Sequence, residues 1–173
     1  MHIFIIGPTA SGKTTIGKKL AQLLNMNFID TDKEIEKSTG VSINWLFDIE
    51  GEEGFRKREK DVLLEIKKTN SSVVSTGAGL VLEKNNRELL ASNGKVIYLD
   101  VSIESQLKRT TFDKTRPLLS KDDKREILLK MSKDRDHLYK KLADITIKAG
   151  KKSRKEIIEE IASKIKTIED GPD

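Results

Sequence analysis

Cysteine is absent from the 173-residue chain. That removes disulfides, thiolate zinc sites and cysteine nucleophiles together, and nothing in the sequence asks for an oxidising compartment. Proline is scarce, with three scattered residues, and no internal repeat or low-complexity stretch interrupts the chain. Aromatic residues make up 5%, too few for an evident base-stacking platform. Long hydrophobic runs are missing too: Ile3-Phe4-Ile5-Ile6 and Val96-Ile97-Tyr98-Leu99 each stop at four residues. Neither can cross a bilayer or form the core of a signal peptide. The expectation is a soluble, cytoplasmic protein, and the length suits one domain with a single sizeable core.

Charge is abundant instead. Charged residues are 35% of the chain, with 33 Lys+Arg against 28 Asp+Glu and a formal net charge of +5. A basic chain can attract a nucleic-acid backbone. Acidic residues nevertheless lie among nearly all the basic ones, as in Lys33-Glu34-Ile35-Glu36-Lys37, the pattern of a solvated helix face. That reading is the stronger one. A third is that several cations face a small anionic ligand, and composition does not choose between them.

Short β-rich runs alternate with amphipathic helices. Residues 2–6 read as a strand, followed by a helix whose Ile16, Leu20, Leu23 and Leu24 share a face. Phe28-Ile29 is a short apolar run, after which Thr31 and Glu34 form a capping-box pair opening a helix that ends near Gly40. Residues 52–67 read as helix, Val73-Val74-Ser75 as a strand entering Gly77-Ala78-Gly79, 83–92 as helix and 96–100 as strand. Ser102 is placed to cap the next helix. A long helix follows Arg116-Pro117, then a strand at 144–147 and a last helix opened by the capping box Ser153-x-x-Glu156. Such alternation predicts an α/β fold, a mostly parallel five-stranded sheet with helices on both faces.

The first strand runs into Gly7-Pro8-Thr9-Ala10-Ser11-Gly12-Lys13-Thr14, a complete G-x-x-x-x-G-K-[ST] match between a strand and an amphipathic helix. Successive backbone N–H groups and the helix N-terminus favour a phosphate chain there. Lys13 is expected to reach the β- and γ-phosphates, and the Thr14 hydroxyl to ligate Mg²⁺. Nucleotide binding follows; what is done with the nucleotide does not. Two carboxylates compete for the metal. Asp100 ends the run 96–99 in the form of a Walker B strand, and Asp30 follows Phe28-Ile29 with Asp32 two residues on.

Two arginines stand where apolar residues belong. Arg135 lies between Met131 and Leu138 on the apolar stripe of the long helix. Arg56 precedes Leu63 by seven residues, about 20° away around an ideal wheel. A desolvated guanidinium is costly unless paired. Each therefore needs an anion, from an internal salt bridge or from a ligand, unless its side chain snorkels to solvent. Arg116, held extended by Pro117, ends the polar stretch 110–115 and belongs to a mobile flap or to a plain surface loop.

These stretches, taken in order, resemble shikimate kinase: the phosphate loop, Asp30-Thr31-Asp32, Glu53-Gly54-Phe55-Arg56, Ser75-Thr76-Gly77-Ala78-Gly79, Arg116-Pro117-Leu118-Leu119, and Arg135 ahead of Leu138-Tyr139. The resemblance implies the three-layer fold of small-molecule P-loop kinases. It implies one domain over residues 1–168, an acceptor-binding helical subdomain near 31–60, a lid near 110–123, and a frayed tail at 169–173. It implies ATP as co-substrate with Mg²⁺. ATP is then bound by Ala10, Ser11, Gly12, Lys13, Thr14, Thr15, Arg116 and Lys152, and Mg²⁺ by Thr14 and, through water, by Asp30, which leaves Asp100 a strand-end role. Shikimate falls to Asp32, Arg56, Gly77, Ala78, Gly79 and Arg135, with Phe47 and Phe55 as pocket walls. The catalytic residues are Lys13, Asp32 and Arg116.

Two departures stand out. Ala78 occupies the centre of a glycine triplet in the family, where a left-handed backbone is disfavoured for alanine by roughly 1–2 kcal/mol. Ala10 stands where the family commonly has a further glycine. The expected reaction is phosphorylation of the shikimate 3-hydroxyl, by a monomer with no nucleic-acid or membrane partner. The alternatives are a kinase for another small acceptor, such as gluconate or a nucleoside monophosphate, and a nucleotide-dependent RNA-binding protein.

Overall fold

The computed structural model describes residues 1–110 and 123–169. Along them run β1 (His2–Ile6), α1 (Lys13–Leu23), β2 (Asn27–Asp30), α2 (Thr31–Thr39), α3 (Ile43–Ile66), β3 (Ser72–Ser75), α4 (Lys84–Asn93), β4 (Gly94–Asp100), α5 (Ile103–Thr110), α6 (Lys124–Leu142), β5 (Ile145–Lys148) and α7 (Arg154–Glu169). The strands form one sheet in the order β2-β3-β1-β4-β5. Every pairing is parallel, with Ile5 level with Ser75 on one side and with Ile97 on the other. Among the described residues, no helix is long and apolar enough to cross a membrane.

β1 is buried along its whole length, as befits a central parallel strand covered on both faces. Successive side chains of a strand point to opposite faces, and the cores divide accordingly. Ile3, Ile5, Ile97, Leu99, Ile145 and Ile147 pack with Ile16 and Leu20 of α1 and the isoleucines of α7. Phe4, Ile6, Val74, Val96 and Tyr98 pack with Leu63 of α3, Leu90 of α4 and Tyr139 of α6. Ile35, Leu46 and Phe55 make a third cluster that joins α2 to α3. Phe55 packs there against Phe47, ring centres 4.8 Å apart and planes tilted by 38°.

Three local expectations change. The cap of α2 is Asp30 rather than Thr31: its carboxylate accepts from the N–H groups of Asp32 and Lys33, and Thr31 is the first helical residue. α3 begins at Ile43, capped by the Ser42 hydroxyl, not at 52. It continues through a kink at Gly51, whose φ of 67° and ψ of −174° only glycine adopts without strain. A bidentate Glu50–Arg58 ion pair bridges that kink. Lastly, the only non-glycine residues with positive φ among those described are Ala10, at 59°, and Asn25, at 53°. Ala78 therefore escapes the left-handed cost that an alanine could incur there, and Ala10 has the left-handed backbone instead.

Because β1 lies between β3 and β4, the chain's excursions after β1 and β3 part to opposite sides. The carboxyl ends of the strands open a crevice at that switch point, the usual ligand site of an open α/β sheet. The phosphate loop follows β1, Asp30 ends β2, the turn 77–79 follows β3 and Asp100 ends β4.

Candidate active site

The phosphate loop leaves β1 at Gly7, where a Cβ would stand 2.7 Å from the Leu99 carbonyl oxygen. Only a bare backbone passes that close. Gly12, with φ of 95°, then turns the chain into α1. Lys13 is buried and folds across the loop: its Nζ donates to the carbonyls of Gly7 (2.9 Å) and Pro8 (2.7 Å) and to Ser11 Oγ (3.3 Å). The ammonium thus lies inside the curve of the loop, beside the N–H groups that a phosphate would occupy.

Asp30 links the loop to α2. Its Oδ1 caps the helix, and its Oδ2 accepts the Thr14 hydroxyl at 2.7 Å. Ser75 Oγ lies 3.4 Å from the same hydroxyl. These neutral and anionic oxygens suit a hard cation such as Mg²⁺, which takes one or two protein ligands and completes its shell with water and phosphate oxygens. Among the described residues, no group of three or more His, Cys, Asp or Glu gathers as a metal cluster. Asp100 lines a different hollow, with Tyr98 Oη 3.4 Å away.

A cleft of about 390 Å³ runs along the loop. Asp32 and Ala78 border it, as do Lys152 and Thr15. Lys152 is ion-paired with Glu160. Arg109, which the sequence reading passed over, also lines the cleft and donates to the Ala10 carbonyl at 2.9 Å. Its position in the last turn of α5, just ahead of the Thr-rich stretch, carries no periodic signal that marks it. Arg116 and most of the expected lid lie outside the described residues.

A second group of charges gathers around the turn 77–79. Arg56 is 11% exposed and pairs with Glu59 (2.6 Å) and Glu52 (2.8 Å), so the internal salt bridge is realised for this arginine. Glu59 is fully buried, and its Oε1 has no hydrogen-bond partner among the described residues. Burial pushes its carboxyl up to about 7 against the pull of Arg56, and the neighbouring Asp32 adds to the rise. A Cβ on Gly77 would meet Glu59 Oε1 at 2.7 Å and Asp32 Oδ1 at 2.9 Å, and one on Gly79 would strike the Arg56 guanidinium. The two glycines thus leave the space that these side-chain ends occupy, and Ala78 stands between them. Arg135 is buried in α6, and its Nε is without a hydrogen-bond partner among the described residues. It borders a separate hollow of about 220 Å³ that the phosphate loop enters through Pro8 and Thr9.

Residues 9–166 match the family model described as shikimate kinase. The chain belongs to the shikimate kinase family. A shikimate kinase from Francisella philomiragia is 48% identical over 163 residues, covering 94% of this chain and 93% of that one. The structure of shikimate kinase from Acinetobacter baumannii in complex with shikimate superposes with a TM-score of 0.92 at 41% identity, over 95% of this chain and 92% of that one. The Aquifex aeolicus shikimate kinase gives 0.83 at 36% identity, covering 96% of each. A gluconokinase from Sinorhizobium meliloti, at 14% identity and a TM-score of 0.62, covers 94% of this chain and 89% of its own and shares the fold alone. Of the two alanines singled out in the sequence, Ala10 has the positive φ and Ala78 does not.

Proposed function

We propose that the protein transfers the γ-phosphoryl group of ATP to the 3-hydroxyl of shikimate, giving shikimate 3-phosphate and ADP. The observation that carries this reading is the arrangement Asp32, Arg56, Glu59 and Arg135 around the turn 77–79, beside a complete phosphate loop. Two guanidinium groups suit a carboxylate, and a carboxylate facing the cleft suits a hydroxyl. Membership of the shikimate kinase family, and the likeness to a structure holding shikimate, support the choice of acceptor.

In this reading Ala10, Ser11, Gly12 and Thr15 wrap the phosphates, and Lys13 exchanges the loop carbonyls for β- and γ-phosphate oxygens. Thr14, and Asp30 through water, hold Mg²⁺. When bound, the cation neutralises charge on those oxygens. Asp32 orients the 3-hydroxyl and accepts its proton as the O–P bond forms and ADP departs. Arg135 and the donors of Arg56 left free by Glu52 and Glu59 grip the substrate carboxylate; a guanidinium has five N–H groups to give. The N–H groups of Gly77–Gly79 line the acceptor side, within a subdomain at 31–60. Lys152 flanks the nucleotide end, and Arg116 adds positive charge from a lid at 110–123 that excludes water. The protein acts as a monomer in the cytoplasm without nucleic-acid or membrane partners.

Turnover compared across shikimate, gluconate and nucleoside monophosphates tests the assignment. Shikimate is expected to lead by orders of magnitude. Shikimate ranking behind either of the others would overturn it.

A further inference from the structure

The turn 77–79 is held at two atoms by two different helices. From α2, the fully buried Thr31 hydroxyl accepts the Gly77 N–H at 2.9 Å. From α6, the Tyr139 hydroxyl donates to the Ala78 carbonyl at 2.5 Å. The carbonyls of Gly77 and Gly79 are taken by the N–H groups of Leu80 (3.2 Å) and Leu82 (3.0 Å). Among the described residues, the N–H groups of Ala78 and Gly79 enter no hydrogen bond. A trans peptide points its N–H opposite to its C=O. Tying the Ala78 carbonyl to Tyr139 therefore fixes the direction of the Gly79 N–H, away from α6.

We propose that Tyr139 is a positioning residue of the acceptor site: its hydroxyl sets the Ala78–Gly79 peptide plane and ties it to the helix that carries Arg135 one turn earlier. This rests on the shikimate reading above and extends it to a residue with no reacting atom to touch. One element then places two groups for the same substrate, a backbone N–H and a guanidinium. The ring is fixed independently, since it stacks on Tyr98 with centres 5.2 Å apart and planes 23° from parallel. Tyr98 is itself anchored through its hydroxyl to Asp136, at 2.7 Å, on the same α6. Burial pushes the Tyr139 phenol up to about 12, so it stays a donor at working pH although Arg135 and Arg56 lie near. The device suits a chain with alanine at the centre of the turn, because Ala78 shares the cleft wall with Asp32.

Tyr139→Phe in the full chain removes the hydroxyl and keeps the ring and its stack. The expected result is a KM for shikimate raised about fivefold to tenfold, the worth of one hydrogen bond to a buried acceptor. The KM for ATP should hold. In the ¹⁵N–¹H spectrum the Ala78 and Gly79 amides should shift, a readout that depends on no substrate. Tyr98→Phe removes a hydroxyl that does not touch the turn and keeps the stack, so its effect on each of these should be clearly smaller. An unaltered shikimate KM with unmoved amides, or equal losses for both substrates, would overturn the proposal. A wild-type protein inert toward shikimate would overturn the function instead, and the amide shifts would then decide the role of Tyr139 by themselves.

Discussion

Glu59 is the residue on which the acceptor side turns. It is fully buried, paired with Arg56 on one oxygen and pressed against Gly77 with the other. Its carboxyl is pushed up to about 7 from the ordinary 4.5, chiefly because burial penalises the charge. A folded-state value above the unfolded one means that the stabilising contribution is full below about pH 4.5 and is lost as pH rises through about 7. The stability of wild type relative to Glu59→Gln should therefore fall between pH 5 and 8 by on the order of 2–3 kcal/mol. Urea denaturation across that range checks it, and a difference independent of pH would contradict it. Arg135→Ala should raise the shikimate KM at least about tenfold, as expected for losing a charge-assisted pair, while the KM for ATP barely moves. Equal loss for both substrates would remove Arg135 from the carboxylate clamp. At this scale the sequence was informative where a charge interrupted an apolar stripe, as at Arg56 and Arg135. It was silent about Glu59, which reads as one more acid in the run Lys57-Arg58-Glu59-Lys60, and about Arg109.

Among the elements, α3 differs from its expected span. The helix was expected only from residue 52, whereas it begins at Ile43. Gly54 is a packing glycine, where a Cβ would come 2.5 Å from Glu50 Cβ. Gly51 turns the chain without ending it, with a φ of 67° and open space around its missing side chain. Gly51→Ala therefore tests the backbone alone. The expected cost is roughly 1–2 kcal/mol, lowering Tm by about 2–8 °C, and an unchanged Tm would mean that the kink relaxes. α2 was displaced by one residue because Thr31 and Asp30 are both good caps. The carboxylate took the helix N–H groups, which freed the Thr31 hydroxyl for Gly77. By contrast α7 begins at the capping box read from sequence: Ser153 Oγ takes the Glu156 N–H at 3.2 Å, and Glu156 returns to the Ser153 N–H at 2.7 Å. No rival acceptor stands beside it.

For the molecule as a whole, the α/β class was legible because β1 and β4 are unbroken apolar runs and the helices between them keep one apolar face. Strand order was not legible, since it depends on which helix crosses which face. The order β2-β3-β1-β4-β5 is what brings the phosphate loop, Asp30, Asp32 and the turn 77–79 to one crevice. Many of the basic residues, read at first as a possible nucleic-acid signal, stand in surface ion pairs such as Lys33–Glu36, Lys68–Glu65 and Lys164–Glu160. Lys13, Arg56, Arg109 and Arg135 are cations held at the site itself or beside it. A site of this form has work to do only when an acceptor hydroxyl is present. The most direct measurement is a coupled ADP-release assay with ATP and Mg²⁺, run with and without shikimate. The account predicts rapid ADP release that depends on shikimate and falls to background without it; release that is the same in both arms would contradict it.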